Sequence, residues 1–218
     1  MHEEAGLQTI PAAFSERLRE ATAEVHDAAE QSTFMTRLVD GQISVGEYVG
    51  LTRQYHAIYA VLEEAAVVMR DDAVAGQFVV PGLERLPSLE ADLVALAGPD
   101  WASEHAVTPA TEAYATRLRE VCFDWPGGFV AHHYVRYLGD LSGGQILRRI
   151  LGRTLGLTTD AGLAFYLFDQ IDNGVQLKKR YRTLLDEAPW APDEQDRIAA
   201  EAARGFQLNI ATFASLEA

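Results

Sequence analysis

Apolar residues recur along this chain at helical spacing, and no segment sustains the period-2 alternation of a half-buried strand. Phe14, Leu18, Ala21, Val25 and Ala28 are spaced 4-3-4-3, which predicts one apolar stripe on a first helix running to about Glu30. Ser44 followed by Glu47 forms a capping box that opens a long helix through about Arg70. Ser88 to Ala97 reads as a shorter helix closed by Gly98-Pro99, and Thr108-Pro109 supplies an N-cap and an N1 proline for the next. Further helices are predicted over about 129–155, 172–185 and 192–216. Only the aromatic run Phe165-Tyr166-Leu167-Phe168 reads locally like a strand. The sum is an all-α, single-domain bundle of seven or eight helices spanning residues 1–218, with 1–11 as a flexible N-terminal extension.

A formal charge of -14 argues against nucleic acid as a partner, because phosphate binding needs a basic footprint. One cysteine, Cys122, excludes an intrachain disulfide and a multi-thiolate metal site, and suits a reducing cytoplasm. The first eleven residues lack the basic start and apolar core of a signal peptide. The longest charge-free run, Gly205 to Leu216, falls short of the ~18 apolar residues of a spanning helix. The expectation is a soluble, cytoplasmic protein without a membrane anchor.

One predicted helix breaks its own propensity rules. Between Tyr134 and Gln145 it carries Gly139, Gly143 and Gly144, each costing about 1 kcal/mol relative to Ala in a helix interior. Glycine removes a side chain where a backbone must bend or approach something closely. Arg136, Gly139, Asp140 and Gly143 stand at i, i+3, i+4 and i+7 and so are predicted to share one face; Val130, Tyr134, Tyr137 and Leu141 form a separate stripe, the predicted core contact. The bare face suits a flat ligand or, equally by spacing, a close helix crossing; Asp140 weighs against the crossing, where its carboxylate would need a partner.

On the first helix His26 lies at the edge of the apolar stripe, with Glu30 one turn on and Arg19 two turns back, roughly 10 Å along the axis. That layout suits a metal ligand with a carboxylate fixing its tautomer, and also an ordinary solvated histidine. His132 and His133 are adjacent and point in different directions, so they make no i, i+4 pair. No Glu-x-x-His occurs, which counts against a ferritin-like di-iron site. Lys178, Lys179, Arg180 and Arg182 gather four of the eighteen basic residues within five positions, either as a solvated face or as a binder of carboxylates or an acidic partner.

The run Val130-Ala131-His132-His133-Tyr134-Val135-Arg136-Tyr137-Leu138-Gly139-Asp140-Leu141-Ser142-Gly143-Gly144-Gln145 resembles the signature of the haem oxygenases. Glu20-Ala21-Thr22 to His26, Ala29-Glu30 and Phe34-Met35 resemble the proximal-helix region of the same family. Tyr55-His56-Ala57-Ile58-Tyr59, Thr108-Pro109-Ala110, Tyr181-Arg182 and Phe206-Gln207-Leu208-Asn209 follow in family order, so the resemblance covers nearly the whole chain. It implies haem b, both substrate and cofactor, sandwiched between the first helix and the glycine-bearing helix, with His26 as metal ligand and Glu30 behind it.

The resemblance further implies that Gly139 and Gly143 bring the distal backbone close to bound dioxygen. Asp140 would anchor a proton-delivering network with Tyr59, Arg136 and Asn209. Met35, Gly144 and Phe206 would line the haem, and Lys178, Arg182, Arg19 and Tyr134 would hold its propionates. The family position just before the proximal histidine that is often basic is Ala23 here. The implied reaction opens the porphyrin at the α-meso carbon to biliverdin, carbon monoxide and ferrous iron, with iron acquisition one use of it. Electrons would come from a ferredoxin or a flavoprotein reductase, and the protein would be a soluble bacterial monomer. A haem carrier or sensor with the same pocket is the alternative, against which the polar Asp140 argues. A related scaffold for di-iron oxidation or thiamin breakdown lacks its carboxylate-histidine set here.

Overall fold

The first helix, α1 (Phe14–Glu30), buries Phe14, Leu18, Thr22 and Ala29, so its inner stripe runs 14-18-22-25-29 and leaves Ala21 and Ala28 exposed. That is a correction to the predicted stripe. The Thr22 hydroxyl tolerates burial by donating to the Leu18 carbonyl oxygen at 2.8 Å. The computed structural model describes residues 12–217; the proposed N-terminal extension, 1–11, lies outside the described residues.

A helix that sequence periodicity missed, α2 (Thr33–Val39), buries only Phe34 and Leu38, too short a pattern to register alone. The capping box forms as predicted: Glu47 N–H donates to Ser44 Oγ at 3.2 Å, and Ser44 N–H donates to Glu47 Oε2 at 2.7 Å. It opens α3 (Val45–Met69), the longest helix, buried along most of its length. The chain then passes through α4 (Leu86–Ala97), ended by Gly98 at φ 84°, a one-turn α5 (Trp101–Glu104), and α6 (Pro109–Val121), capped by Thr108 as predicted.

The glycine-bearing segment is one rod with a defect. It begins as α7 (Pro126–His133), widens into a π turn at Tyr134–Leu138, and resumes as α8 (Gly139–Thr154). The aromatic run after it forms only a short turn at Ala164–Tyr166, and α9 (Gly174–Glu187) and α10 (Pro192–Ala214) close the chain. Ten α-helices among the described residues exceed the predicted seven or eight because α2 and α5 are short and the rod is divided by its π turn.

The all-α prediction holds. The α1–α10 contact is the most extensive in the bundle, and α10 packs in turn on α7 and α6, while α3 packs on α4, α6 and α7. The α8 glycine segment thus lies across from α1 with neither helix covering the other. No helix of the described residues is long and apolar enough to cross a membrane.

Candidate functional site

A cleft of about 300 Å³ lies between α1 and the π-turn rod, with His26 and Glu30 on one wall and Gly139, Asp140 and Gly143 on the other. A cavity of about 110 Å³ adjoins it, lined by Met35, Arg136, Asn209 and Phe206 together with His26 and Asp140. The glycines explain the gap. A Cβ added at Gly139 or Gly143 would meet nothing within 4 Å, so these positions leave open space beside the cleft where any side chain would project. Gly144 differs: its Cβ would stand 3.2 Å from Tyr166 Cδ1, so this glycine also serves close packing.

His26 is held loosely. Its side chain is 45% exposed, Nε2 lies 3.7 Å from Glu30 Oε1, and Nδ1 lies 3.6 Å from Asp27 Oδ1. Both distances exceed a proper hydrogen bond. The Phe206 ring meets the imidazole edge-on, with centroids 5.4 Å apart, and fixes the face it presents. Asp27 was not singled out in the sequence; its adjacency to His26 was the only signal for it.

On the opposite wall, the Tyr59 hydroxyl donates to Asp140 Oδ2. Burial raises the Asp140 carboxyl above the ordinary aspartate range, while nearby Arg136 and the Tyr59 bond oppose that rise. Burial likewise raises the Tyr59 phenol. Arg136, itself 4% exposed, donates from Nη1 to Asn209 Oδ1 at 2.8 Å and lies 4.3 Å above the Tyr55 ring. Its Nε and Nη2 have no hydrogen-bond partner among the described residues. Orphaned donors on a buried cation mark a place where a polar group outside the protein belongs.

The π turn alters the predicted register. Gly139, Asp140 and Gly143 face the main cleft, but Arg136, inside the widened turn, lines only the adjoining cavity, which it shares with Gly139 and Asp140. The expected core stripe also divides: Val130 and Tyr137 are buried, whereas Tyr134 lines the cleft. Interior π turns recur at functional sites because the extra residue per turn re-aims side chains.

Arg19, Tyr134 and Arg182 line the cleft. Lys178 does not; its Nζ donates to Ser142 Oγ at 3.3 Å, on the rim. Met35 also faces a third opening of about 460 Å³, with Val39, Gly143, Ile146 and Leu147.

His132 and His133 are buried in the core. His132 Nε2 lies 2.9 Å from Glu201 Oε1, so this nitrogen donates and Nδ1 is left to accept from the Tyr114 hydroxyl at 3.4 Å. His133 Nδ1 pairs with the Tyr181 hydroxyl at 3.1 Å, and burial pushes its pKa down to about 3. Cys122 is buried, its thiol pushed up by desolvation.

The donor set fits haem: an imidazole faces a bare helix wall across a flat cleft, cations line its mouth, and a buried guanidinium has free donors beyond it. Comparison with known proteins agrees. Residues 12–215 match the family model described as Heme oxygenase. Heme oxygenase 1 of Rattus norvegicus is 38% identical over 97% of this chain and 74% of its own. The heme oxygenase-1 structure from Synechocystis in complex with heme superposes with a TM-score of 0.90 at 35% identity, covering 94% of this chain and 93% of that one. The heme oxygenase of Leptospira interrogans gives 0.88 at 35% identity over 93% and 98%. With its fold, its cleft and its relatives in accord, the chain belongs to the haem oxygenase family, the haem-degrading enzymes.

Proposed function

We propose that the protein opens haem at the α-meso carbon to give biliverdin, carbon monoxide and ferrous iron, consuming dioxygen and electrons from a separate donor. The observation that carries this reading is the Tyr59–Asp140–Arg136–Asn209 cluster facing His26 across a wall of glycine. A carrier needs the imidazole and the cleft. It does not need a raised carboxyl beside a buried guanidinium with free donors.

When bound, haem supplies both the iron that activates dioxygen and the porphyrin edge that is oxidised. His26 would hold the iron through one ring nitrogen, its ring oriented by Phe206, and the carboxylate beside the other nitrogen, Asp27 at Nδ1 or Glu30 at Nε2, would accept from it. Gly139 and Gly143 keep the opposite wall free of side chains, so that the helix backbone itself would bound the space for a bound ligand. Asp140 holds a proton near neutral pH more readily than an exposed aspartate, because burial favours its neutral form. Tyr59 fixes its orientation, and Arg136 offers Nε and Nη2 to ordered water. That arrangement delivers protons to one side of the cleft only.

Arg182, Arg19 and Tyr134 at the mouth would hold the propionate carboxylates, and this anchoring would select which porphyrin edge faces Asp140. Lys178 would act from the rim. Exposed Lys179 and Arg180 beside them suit an acidic electron donor such as a ferredoxin, or a flavoprotein reductase. We read the working form as a monomer in the cytoplasm, since the apolar helix stripes are covered within one bundle.

Chromatographic separation of the bilin isomers after a single turnover tests the regiochemistry. The α isomer alone is expected; a mixture of isomers would remove the propionate-anchoring argument.

A further inference from the structure

Among the buried charges outside the cleft, Asp92 and Arg85 are not used by the reading above. Asp92 on α4 is fully buried, and its two carboxylate oxygens each accept a backbone N–H at 2.8 Å, from Ala164 and Phe165. Arg85, at the start of α4 and 5% exposed, donates from Nε to the Leu83 carbonyl oxygen at 2.9 Å and from Nη1 to those of Phe165 and Leu167. Its guanidinium also lies 4.1 Å over the Phe168 ring. The carboxylate holds the N–H groups of one short turn and the guanidinium holds its carbonyls. Burying two charges costs several kcal/mol each unless geometry repays it, so a turn needing only to be covered would be served better by apolar contacts.

The turn gripped in this way carries the rear wall of the distal site. The Phe165 ring stands edge-on to Tyr59, centroids 5.6 Å apart, and 5.4 Å from Tyr55, the ring beneath Arg136. The adjacent Tyr166 ring fills the space that the missing Cβ of Gly144 leaves, and its carbonyl accepts from Gln145 Nε2 at 2.9 Å. A shift of this backbone would move the supports of Tyr59, Arg136 and the glycine wall together.

We propose that Asp92 and Arg85 are positioning residues of the distal site: by gripping the Ala164–Leu167 backbone they set the Phe165 and Tyr166 rings that orient Tyr59, Arg136 and the α8 glycine wall. The inference rests on the haem reading of the cleft. Neither residue touches the cleft, so each acts through the turn.

The test measures, in the ferric haem complex, the pH midpoint of its acid-to-alkaline spectral transition and the biliverdin formed per dioxygen consumed. Asp92→Ala and Phe165→Leu should each move the midpoint by about half a pH unit, since the midpoint reports charge and dipole placement above the iron. Each should also lower the biliverdin yield on the order of 10-fold, with haem affinity held. Asp160→Ala, which cuts the Arg148 ion pair at the exposed end of the same connection, should change neither. An unchanged midpoint in both folded variants overturns the inference, as does an equal shift in Asp160→Ala, which would make any loosening of the loop sufficient. Phe165→Leu leaves both charges in place and keeps the test decisive if Asp92→Ala fails to fold. The midpoint requires haem binding but no turnover, so it remains readable if the proposed reaction itself fails.

Discussion

Asn209 accepts a 2.8 Å hydrogen bond from Nη1 of Arg136, and this one contact ties α10 to the π turn of the distal rod. It leaves Nε and Nη2 of the same guanidinium without partners among the described residues. Asn209→Ala removes the only hydrogen-bond anchor that the described residues give Arg136. Biliverdin formation should fall about 10-fold, the scale of a misplaced donor, while haem affinity changes by less than about threefold. Steady-state kinetics alongside a haem titration checks both, and a matched loss of affinity would place Asn209 in binding instead.

His26→Ala should still take up haem, because the cleft and its cations persist, but the spectrum of an imidazole-ligated iron should vanish. Added imidazole should restore it by occupying the space vacated. An unaltered spectrum in the variant would assign the ligand elsewhere.

Asp140→Ala should bind haem with near-normal affinity and lose biliverdin formation by about 10² to 10⁴, the range for removal of a positioned proton donor. Reductant should still be consumed, unproductively. Product yield per reductant oxidised separates this from a slow but coupled enzyme.

The glycines make a prediction with opposite signs at adjacent positions. Gly143→Ala meets open space, so the haem-free protein should gain about 0.5–1 kcal/mol in helix propensity, while haem binding weakens as the methyl enters the cleft. Gly144→Ala meets Tyr166 at 3.2 Å and should lose stability, or gain none, even without haem. Thermal unfolding of both haem-free variants decides it; equal gains would mean that Tyr166 yields freely.

Glu201 supplies a pH dependence. Burial raises its carboxyl, but hydrogen bonds from His132 and Arg117 outweigh burial and hold it at about 2, against the usual 4.5. The stability it contributes is therefore complete above about pH 4.5 and is lost as the pH falls toward 2. Glu201→Gln should lower stability at pH 7, and the difference from the parent should shrink below pH 4. Denaturant melts across that range test it, with a constant difference as the contrary result.

How far the sequence disclosed the site follows the range over which each signal acts. Gly139, Gly143 and Asp140 were legible because local spacing put them together and glycine breaks a propensity rule, whereas His26, on a distant helix, was joined to them only by the family resemblance. The capping box at Ser44 and Glu47 was legible from local spacing as well. The π turn was not: a helical wheel assumes a constant pitch, so it put Arg136 in line with Gly143, whereas Arg136 shares a cavity with Gly139 and Asp140 but not Gly143, and Tyr134, read as a core contact, both packs on the core and lines the cleft. Asp92, Arg85 and Glu201 were invisible because their partners lie about 70 or more positions away, where spacing carries no information. The Ala21–Ala28 half of the first stripe failed differently, because alanine fits either face and Thr22 buries its hydroxyl in its own helix.

The central claim is that this cleft turns haem over. The direct measurement mixes purified protein with stoichiometric haem, adds ascorbate or a ferredoxin system under air with catalase, and follows the absorption spectrum. The account predicts loss of the Soret band with appearance of biliverdin. A Soret band that persists despite tight binding and confirmed reduction would contradict it and identify a haem carrier or sensor.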